Sequence, residues 1–393
     1  MKKFLSVMTL ALLMSGCAGM PKTGTKDDTT PLAMKPASFA DLKGWGNDDF
    51  KGFMKAYRTS CARILKKNPA DKFSSDAAWG TYGDWQAPCR AATSVNENDA
   101  GAVRAFLENN FKVVAATAAG NPEGLFTGYY ESTLNGSRTR KGNYQHPLLG
   151  RPSDLVMVEL GDFREELKGQ RIAGRIIDGK LKPYENRAAS VSGKMPAEQF
   201  KPIVWLDDPH DAFFVQVQGS GIVHLDDGSI MRVGYAAQNG HPYYAIGREL
   251  VKRGIYTKNQ VSMDAIRNWL LNNPAQAEEL MNTNPSYVFF QEMPDDGSGA
   301  GPQGGEGVKL TAGRSLAIDR GKLPYGFPVY LIADYADEAG KPIQKLMMAQ
   351  DTGGAIRGAV RGDYFWGSGT VAEQKAGPMK AKGRYYFLLP KTI

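Results

Sequence analysis

Apolar residues recur at three- and four-residue steps from Asp48 to Lys67. Phe50, Phe53, Met54, Tyr57, Cys61, Ile64 and Leu65 would share one face of a helix, which Asn68-Pro69 stops. A second run over Asp99–Ala116 aligns Val103, Phe106, Leu107, Phe111 and Val114 and predicts another helix. The period then changes. Leu125–Glu131 (LFTGYYE) reads as a strand with a glycine break. From Ser132 to Val233, short apolar runs alternate with turns: Leu155–Leu160, Arg171–Ile177, Ile203–Leu206 and Phe213–Gln218. This text predicts an all-β segment of about 100 residues.

Helices return at Pro242, a residue suited to a first helical position. Tyr244, Ile246, Leu250 and Val251 follow before Arg253-Gly254 closes the run. Met263–Leu271 and Pro274–Met281 predict two more, and Asn273 with Gln276 resembles a capping box. From Pro285 a second β region begins: Tyr287–Phe290, Val308–Thr311, Ser315–Ile318, Val329–Ala333, Leu346–Gln350 and Tyr385–Leu389. Within it, the Gly- and acid-rich stretch Pro294–Gly307 reads as a linker or a mobile loop. The order helices, β, helices, β predicts a mainly β protein with helices. One domain, over 41–131 plus 235–393, is interrupted by an inserted β domain over 132–234. A ligand groove is expected where the two meet.

The N-terminus carries an address. Lys2 and Lys3 precede an apolar stretch, Phe4–Met14, that suits a signal peptide and is too short to span a bilayer as a mature helix. Ser15-Gly16-Cys17 resembles a lipobox; an ordinary secretory signal is the alternative. The lipobox reading makes 1–16 a signal peptide, Cys17 the lipidated first residue, and the polar stretch 17–40 a tether. Ala18 is not an acid that would retain the protein at an inner membrane, so sorting favours the outer membrane, facing the periplasm. In that oxidising compartment Cys61 and Cys89 are expected to form a disulfide; two buried free thiols are the alternative.

Composition narrows the chemistry. Of 393 residues 42% are apolar, enough for a sizeable core, and 45 are glycine. The net charge of +7 comes without a dense basic run, so no nucleic-acid partner is expected. Three cysteines and four histidines, with no His pair at helical spacing, give no metal centre, and no cofactor motif appears. Gly219-Ser220-Gly221 lacks the nucleophile-elbow pattern. His241 reads as a turn or packing residue. Three aspartates stand out: Asp319 and Asp351 at the ends of apolar strands, and Asp363 between Gly362 and Tyr364-Phe365-Trp366-Gly367. Turn chemistry is the alternative for each taken alone.

Taken together, FTGYYE (Phe126–Glu131), VQVQGSG (Val215–Gly221), GYAAQNGHPYYAIGREL (Gly234–Leu250), NPSYVFF (Asn284–Phe290), AGRSLAID (Ala312–Asp319) and QDTGGAIRG…GDYFWGSG (Gln350–Gly369) resemble the membrane-bound lytic murein transglycosylase A family. The resemblance runs in order from about 125 to 369; residues 40–110 match less distinctively. It implies a double-psi β-barrel carrying a 3D region, here about 308–393, with a smaller β-barrel inserted after GYYE and a groove between the two. It also implies that Asp363 is the single catalytic acid/base and that Asp319 and Asp351 support the site. The implied substrate is peptidoglycan glycan strands, cleaved at the MurNAc–GlcNAc β-1,4 bond to leave 1,6-anhydromuramyl ends. Outer-membrane anchoring and cell-wall synthesis complexes are the implied surroundings.

Sugar binding calls for amides, hydroxyls and flat rings. Thr127, Gly128 and Tyr129 are groove candidates, as are Gln218 and Ser220. The expected alternation of Phe213–Gln218 sets Gln216 and Gln218 on one face of a strand; strand packing is the alternative role. Two other functions compete: a glycan-binding lipoprotein without activity, and a true hydrolase, glycosidic or aspartic-protease-like. Asp363 separates the first from an enzyme, because a binder has no use for an acid there. The second needs a water-activating partner that one sequence does not locate.

Overall fold

The computed structural model describes residues 30–167, 170–192, 194–294, 301–337 and 339–393. Its α-helices are α1 (Phe53–Ile64), α2 (Tyr82–Ala91), α3 (Ala100–Asn110), α4 (Arg187–Val191), α5 (Pro209–Gln218), α6 (Ile246–Lys252), α7 (Met263–Asn272), α8 (Pro274–Asn282) and α9 (Thr370–Ala376). The strands are β1 (Leu32–Ala37), β2 (Phe111–Ala118), β3 (Gly124–Ser137), β4 (His146–Leu149), β5 (Val156–Glu159), β6 (Arg171–Ile177), β7 (Lys180–Pro183), β8 (Pro202–Leu206), β9 (Ser220–Leu225), β10 (Ile230–Gln238), β11 (Val288–Met293), β12 (Ser315–Ile318), β13 (Pro328–Ala336), β14 (Pro342–Asp351), β15 (Arg361–Ser368) and β16 (Lys380–Pro390). The protein is mainly β with helices, as expected.

One strand serves two sheets. Over Leu125–Glu131, β3 lies parallel to β15, and its first residues also pair with β16. The hydrogen-bonded path β16-β13-β14-β12-β15-β3 therefore returns to β16. From Ser132 onward β3 runs parallel to β9 instead, and β10 and β11 continue that second sheet. The second sheet thus extends to Met293, whereas the change of period had predicted that the insertion ends at 234. The reason is topological: α6, α7 and α8 leave this sheet after β10 and the chain returns to it as β11, a pairing that local periodicity does not carry.

Buried side chains of α1, α2 and α3 pack against the ring in one cluster with Leu316, Val329, Phe327 and Phe387. A disulfide joins Cys61 on α1 to Cys89 on α2, as expected. The helix α1 starts at Phe53, later than predicted. Gly52 takes a left-handed φ of 76°, and Asp48 is drawn into the core, where it pairs with Arg314. The second predicted helix stops at Asn110. Phe111 and Val114 belong to β2, where Lys112-Val113-Val114 suits a strand and pairs with β16. Sequence periodicity missed α2, which a reciprocal Thr81–Asp84 capping box starts.

Five further expectations are corrected. Phe213–Gln218 is helical: Asp208 caps α5, Pro209 opens it, and Gly219 closes it with φ 84°. These terminal signals outweigh the local alternation. The helix expected from Pro242 begins at Ile246. Asn273 makes no capping box; its side-chain amide donates to the Trp269 carbonyl. Val308–Thr311 forms no strand. Leu32–Ala37, the end of the stretch expected as a tether, pairs with β2 as an edge strand. Cys17 lies outside the described residues. Among those described, no helix is long and apolar enough to cross a membrane.

Candidate active site

Register brings the chemistry together. Ala317 of β12 lies opposite Asp351 of β14 on one side and Asp363 of β15 on the other. Asp363 in turn lies opposite Thr127 of β3, and Phe365 opposite Tyr129. Asp363 therefore stands beside Thr127 and Tyr129 on the adjacent strand, and Asp351 one strand further on, across Ala317. Both aspartates are half-buried. Gly128, between Thr127 and Tyr129, faces the other way: a Cβ there would stand 2.5 Å from the indole nitrogen of Trp366. Its small size lets β3 approach Trp366.

The carboxylates differ in their donors. Asp351 Oδ2 accepts from the Tyr129 hydroxyl at 2.6 Å, and its Oδ1 accepts from the amides of Gly305 and Thr352, both at 2.8 Å. Asp363 Oδ1 accepts a short bond from the Thr127 hydroxyl. Thr127 Oγ1 also accepts from Arg361 Nη2 at 2.8 Å. Burial pushes the Asp363 carboxyl above its ordinary range, against the Arg361 charge and the Thr127 bond. Burial raises Asp351 too, opposed by its three donors and reinforced by repulsion from Asp363. In such a pair the repulsion falls on whichever group ionises second. The Tyr129 phenol is pushed well up, by burial first and by Asp351 next. Tyr243, from the segment after β10, is raised by burial and feels Asp363 across the junction of the two sheets.

Asp319 is a different kind of residue. It is only 4% exposed and accepts from the amides of Gly358 at 2.8 Å and Gly321 at 3.0 Å, with Arg357 at 4.0 Å. It ties the turn after Asp351 to the turn after β12 and bonds neither of the other two aspartates. Gln218 ends α5, where its carbonyl oxygen accepts from the Tyr130 amide at 3.2 Å. Ser220 is buried at the head of β9. Gln216 is also buried, and its carbonyl oxygen accepts from Arg187. None of these three bonds a carboxylate of the site.

Sequence reasoning missed two contributors. Arg361, two residues before Asp363, shares its strand face, and a period-two reading of RGDYFWGSG would have found it. Gly305 supplies an amide to Asp351 from the stretch expected as a linker, and its neighbour Glu306 is buried against α1, accepting from Ser60 at 2.7 Å. The glycine-rich composition was the only signal there.

Two half-buried carboxyls on a strand ring beside an inserted sheet suit acid–base chemistry at the junction of the two sheets. Comparison with known proteins sharpens this. Residues 125–291 match the model of the MltA specific insert domain, and 314–389 match the 3D domain. The membrane-bound lytic murein transglycosylase A of Escherichia coli K12 is 31% identical over 292 residues, covering 73% of this chain and 70% of that protein. The crystal structure of a membrane-bound lytic murein transglycosylase from Agrobacterium tumefaciens superposes with a TM-score of 0.81 at 32% identity, over 92% of this chain and 98% of that one. The E. coli MltA structure with bound chitohexaose gives 0.63 at 26% identity, over 95% and 97%. The chain belongs to the membrane-bound lytic murein transglycosylase A family and is an enzyme of that class.

Proposed function

We propose that this enzyme cleaves the β-1,4 bond between MurNAc and GlcNAc in peptidoglycan, with Asp363 as the single general acid/base and 1,6-anhydromuramyl ends as product. The observation that carries this reading is the unequal donor count around the two carboxyls. Asp351 meets three donors, which favour its anion. Asp363 meets one hydroxyl and keeps an oxygen for a proton. Environments that push two carboxyls apart assign the acid and the anion.

In the reaction Asp363 gives its proton to the glycosidic oxygen as the C1–O bond breaks. Ionised Asp351 stabilises the positive charge that develops on the sugar. The muramyl C6 hydroxyl attacks C1 of its own ring, and its proton returns to Asp363. The nucleophile is already tethered, so proximity replaces a second activating residue, and no metal or cofactor is required. The returning path of strand pairings supports a double-psi barrel as the frame, and the bound chitohexaose of the E. coli relative supports glycan strands as ligand. The lipobox-like Ser15-Gly16-Cys17 supports a lipid anchor in the outer membrane, with the enzyme facing the periplasm and within reach of cell-wall synthesis proteins.

Mass analysis of muropeptides released from purified murein tests the proposal. Anhydro ends make the fragments about 18 Da lighter than hydrolysed ones, because no water is added. Reducing MurNAc ends would make the enzyme a hydrolase.

A further inference from the structure

We propose that Arg361 is a positioning residue that acts through Thr127 to hold the acid proton of Asp363 on Oδ2, the oxygen Thr127 does not occupy. The inference rests on Asp363 being the acid and adds how its proton is placed.

A threonine hydroxyl has one hydrogen to donate, whereas a guanidinium has donors only. Arg361 Nη2 donates to Thr127 Oγ1 at 2.8 Å, so the Thr127 hydrogen cannot point back at Arg361. Its partner is Asp363 Oδ1. That oxygen is then an acceptor in both protonation states, and the titrating proton belongs on Oδ2. Backbone geometry supports this order. Arg361 and Asp363 lie two residues apart on β15, so they share a face, and parallel pairing sets Asp363 beside Thr127. The carbonyls of Leu125 and Gly362 hold the second arm of the Arg361 guanidinium. Thr127, expected to touch substrate, thus has its only hydrogen committed to the acid.

The charged and titratable groups around Asp363 are Arg361 on its own strand, Tyr129 on β3, Asp351 on β14, Tyr385 on β16 and Tyr243 from the segment after β10. Lys380 of β16 lies opposite Thr127 and shares this face as an exposed side chain; Arg361 is the cation that acts on the Asp363 carboxyl. Its charge and the Thr127 bond both favour the ionised carboxyl. Losing either raises the pH at which Asp363 gives up its proton, and with it the alkaline limb of the activity profile.

The test is the pH profile of kcat and KM for the full chain on solubilised glycan strands, with near-ultraviolet circular dichroism to verify folding. Arg361→Lys keeps the charge but loses the directed bond. Thr127→Val loses the relay. Each should lower kcat by about tenfold with KM little changed. The double variant should lose no more than the larger single loss, because both changes cut one connection. Arg361→Gln and Thr127→Val should move the alkaline limb to higher pH, and Thr127→Ser should restore the wild-type profile. Multiplying losses, an unmoved limb, or a raised KM with kcat preserved would overturn the proposal. Asp363→Asn in the same assay separates the two readings. If it turns over normally, the acid assignment falls as well. If it is inactive while the Arg361 and Thr127 variants keep wild-type profiles, only the relay falls.

Discussion

Asp319 and Asp363 begin alike in the sequence, each an acid beside an apolar strand and a glycine-bearing turn. Their surroundings part them. The Asp319 carboxylate is held by two backbone amides of fixed position, at Gly358 and Gly321. Asp363 meets one side-chain hydroxyl, and its second oxygen accepts no bond from the described residues. Backbone donors cannot turn away, so a carboxylate that fills itself with them becomes a structural anion. One with a spare oxygen can carry a proton to and from a substrate. Asp351 lies between these cases: it has three donors, as a structural anion would, but stands beside the acid.

The largest break in this comparison is expected at Asp363. Asp363→Asn keeps the shape and removes the transferable proton, so turnover should fall by roughly 10²–10⁴-fold. Glycan binding should survive, because other residues build the groove. Near-normal turnover would move the chemistry to Asp351. The next effect is at Asp351 itself. Asp351→Asn removes the anion that stabilises the transition state and should lower kcat roughly a hundredfold. With Asp351 the first of the two to ionise, its charge falls on Asp363; removing it lets Asp363 ionise at lower pH and moves the alkaline limb down. That direction is opposite to the one expected for Arg361→Gln. A limb that stays in place would show that the two carboxyls do not interact.

The sequence carried the strand-end aspartates and the helices α1, α3, α7 and α8 because these are local patterns. It did not carry what each aspartate accepts. Thr127 lies 236 residues from Asp363, and Gly305 lies 46 from Asp351. Phe213–Gln218 shows how local reading fails. The alternation is real, yet Asp208-Pro209 and Gly219 punctuate a helix, and Gln216 is thereby turned inward to Arg187. The doubled use of β3 was hidden as well. Its 14 residues read as one short strand plus a new segment, because the partner changes between Glu131 and Ser132 while the chain runs straight on.

A smaller effect, on stability and not on chemistry, is expected at Asp319. Asp319→Ala leaves the amides of Gly358 and Gly321 without their acceptor and should cost about 1–3 kcal/mol in denaturant unfolding. Activity at saturating substrate should decline modestly with the pH limbs unmoved. A shifted limb would place Asp319 in the proton chemistry and dissolve the contrast with Asp363.

The smallest expected effect isolates the donor argument from the site. Glu306 is buried and, like Asp363, accepts one side-chain bond, from Ser60. It follows Gly305, whose amide holds Asp351, and has Arg63, Arg320, Tyr82 and Tyr325 around it. Burial pushes its carboxyl up to about 7, from an ordinary value of 4.5. The folded protein therefore holds this proton more tightly than the unfolded chain does. The stability this contributes is fully present below about pH 4.5 and is lost as pH climbs through about 7. Glu306→Gln removes the titration but also forfeits the attraction to Arg63 and Arg320, so a net gain of only about 1 kcal/mol is expected at pH 8, with none at pH 4. Urea unfolding of both proteins across that range measures it. Parallel stability curves would mean that Glu306 does not titrate in the window, and that burial against a single donor does not raise a carboxyl in this fold.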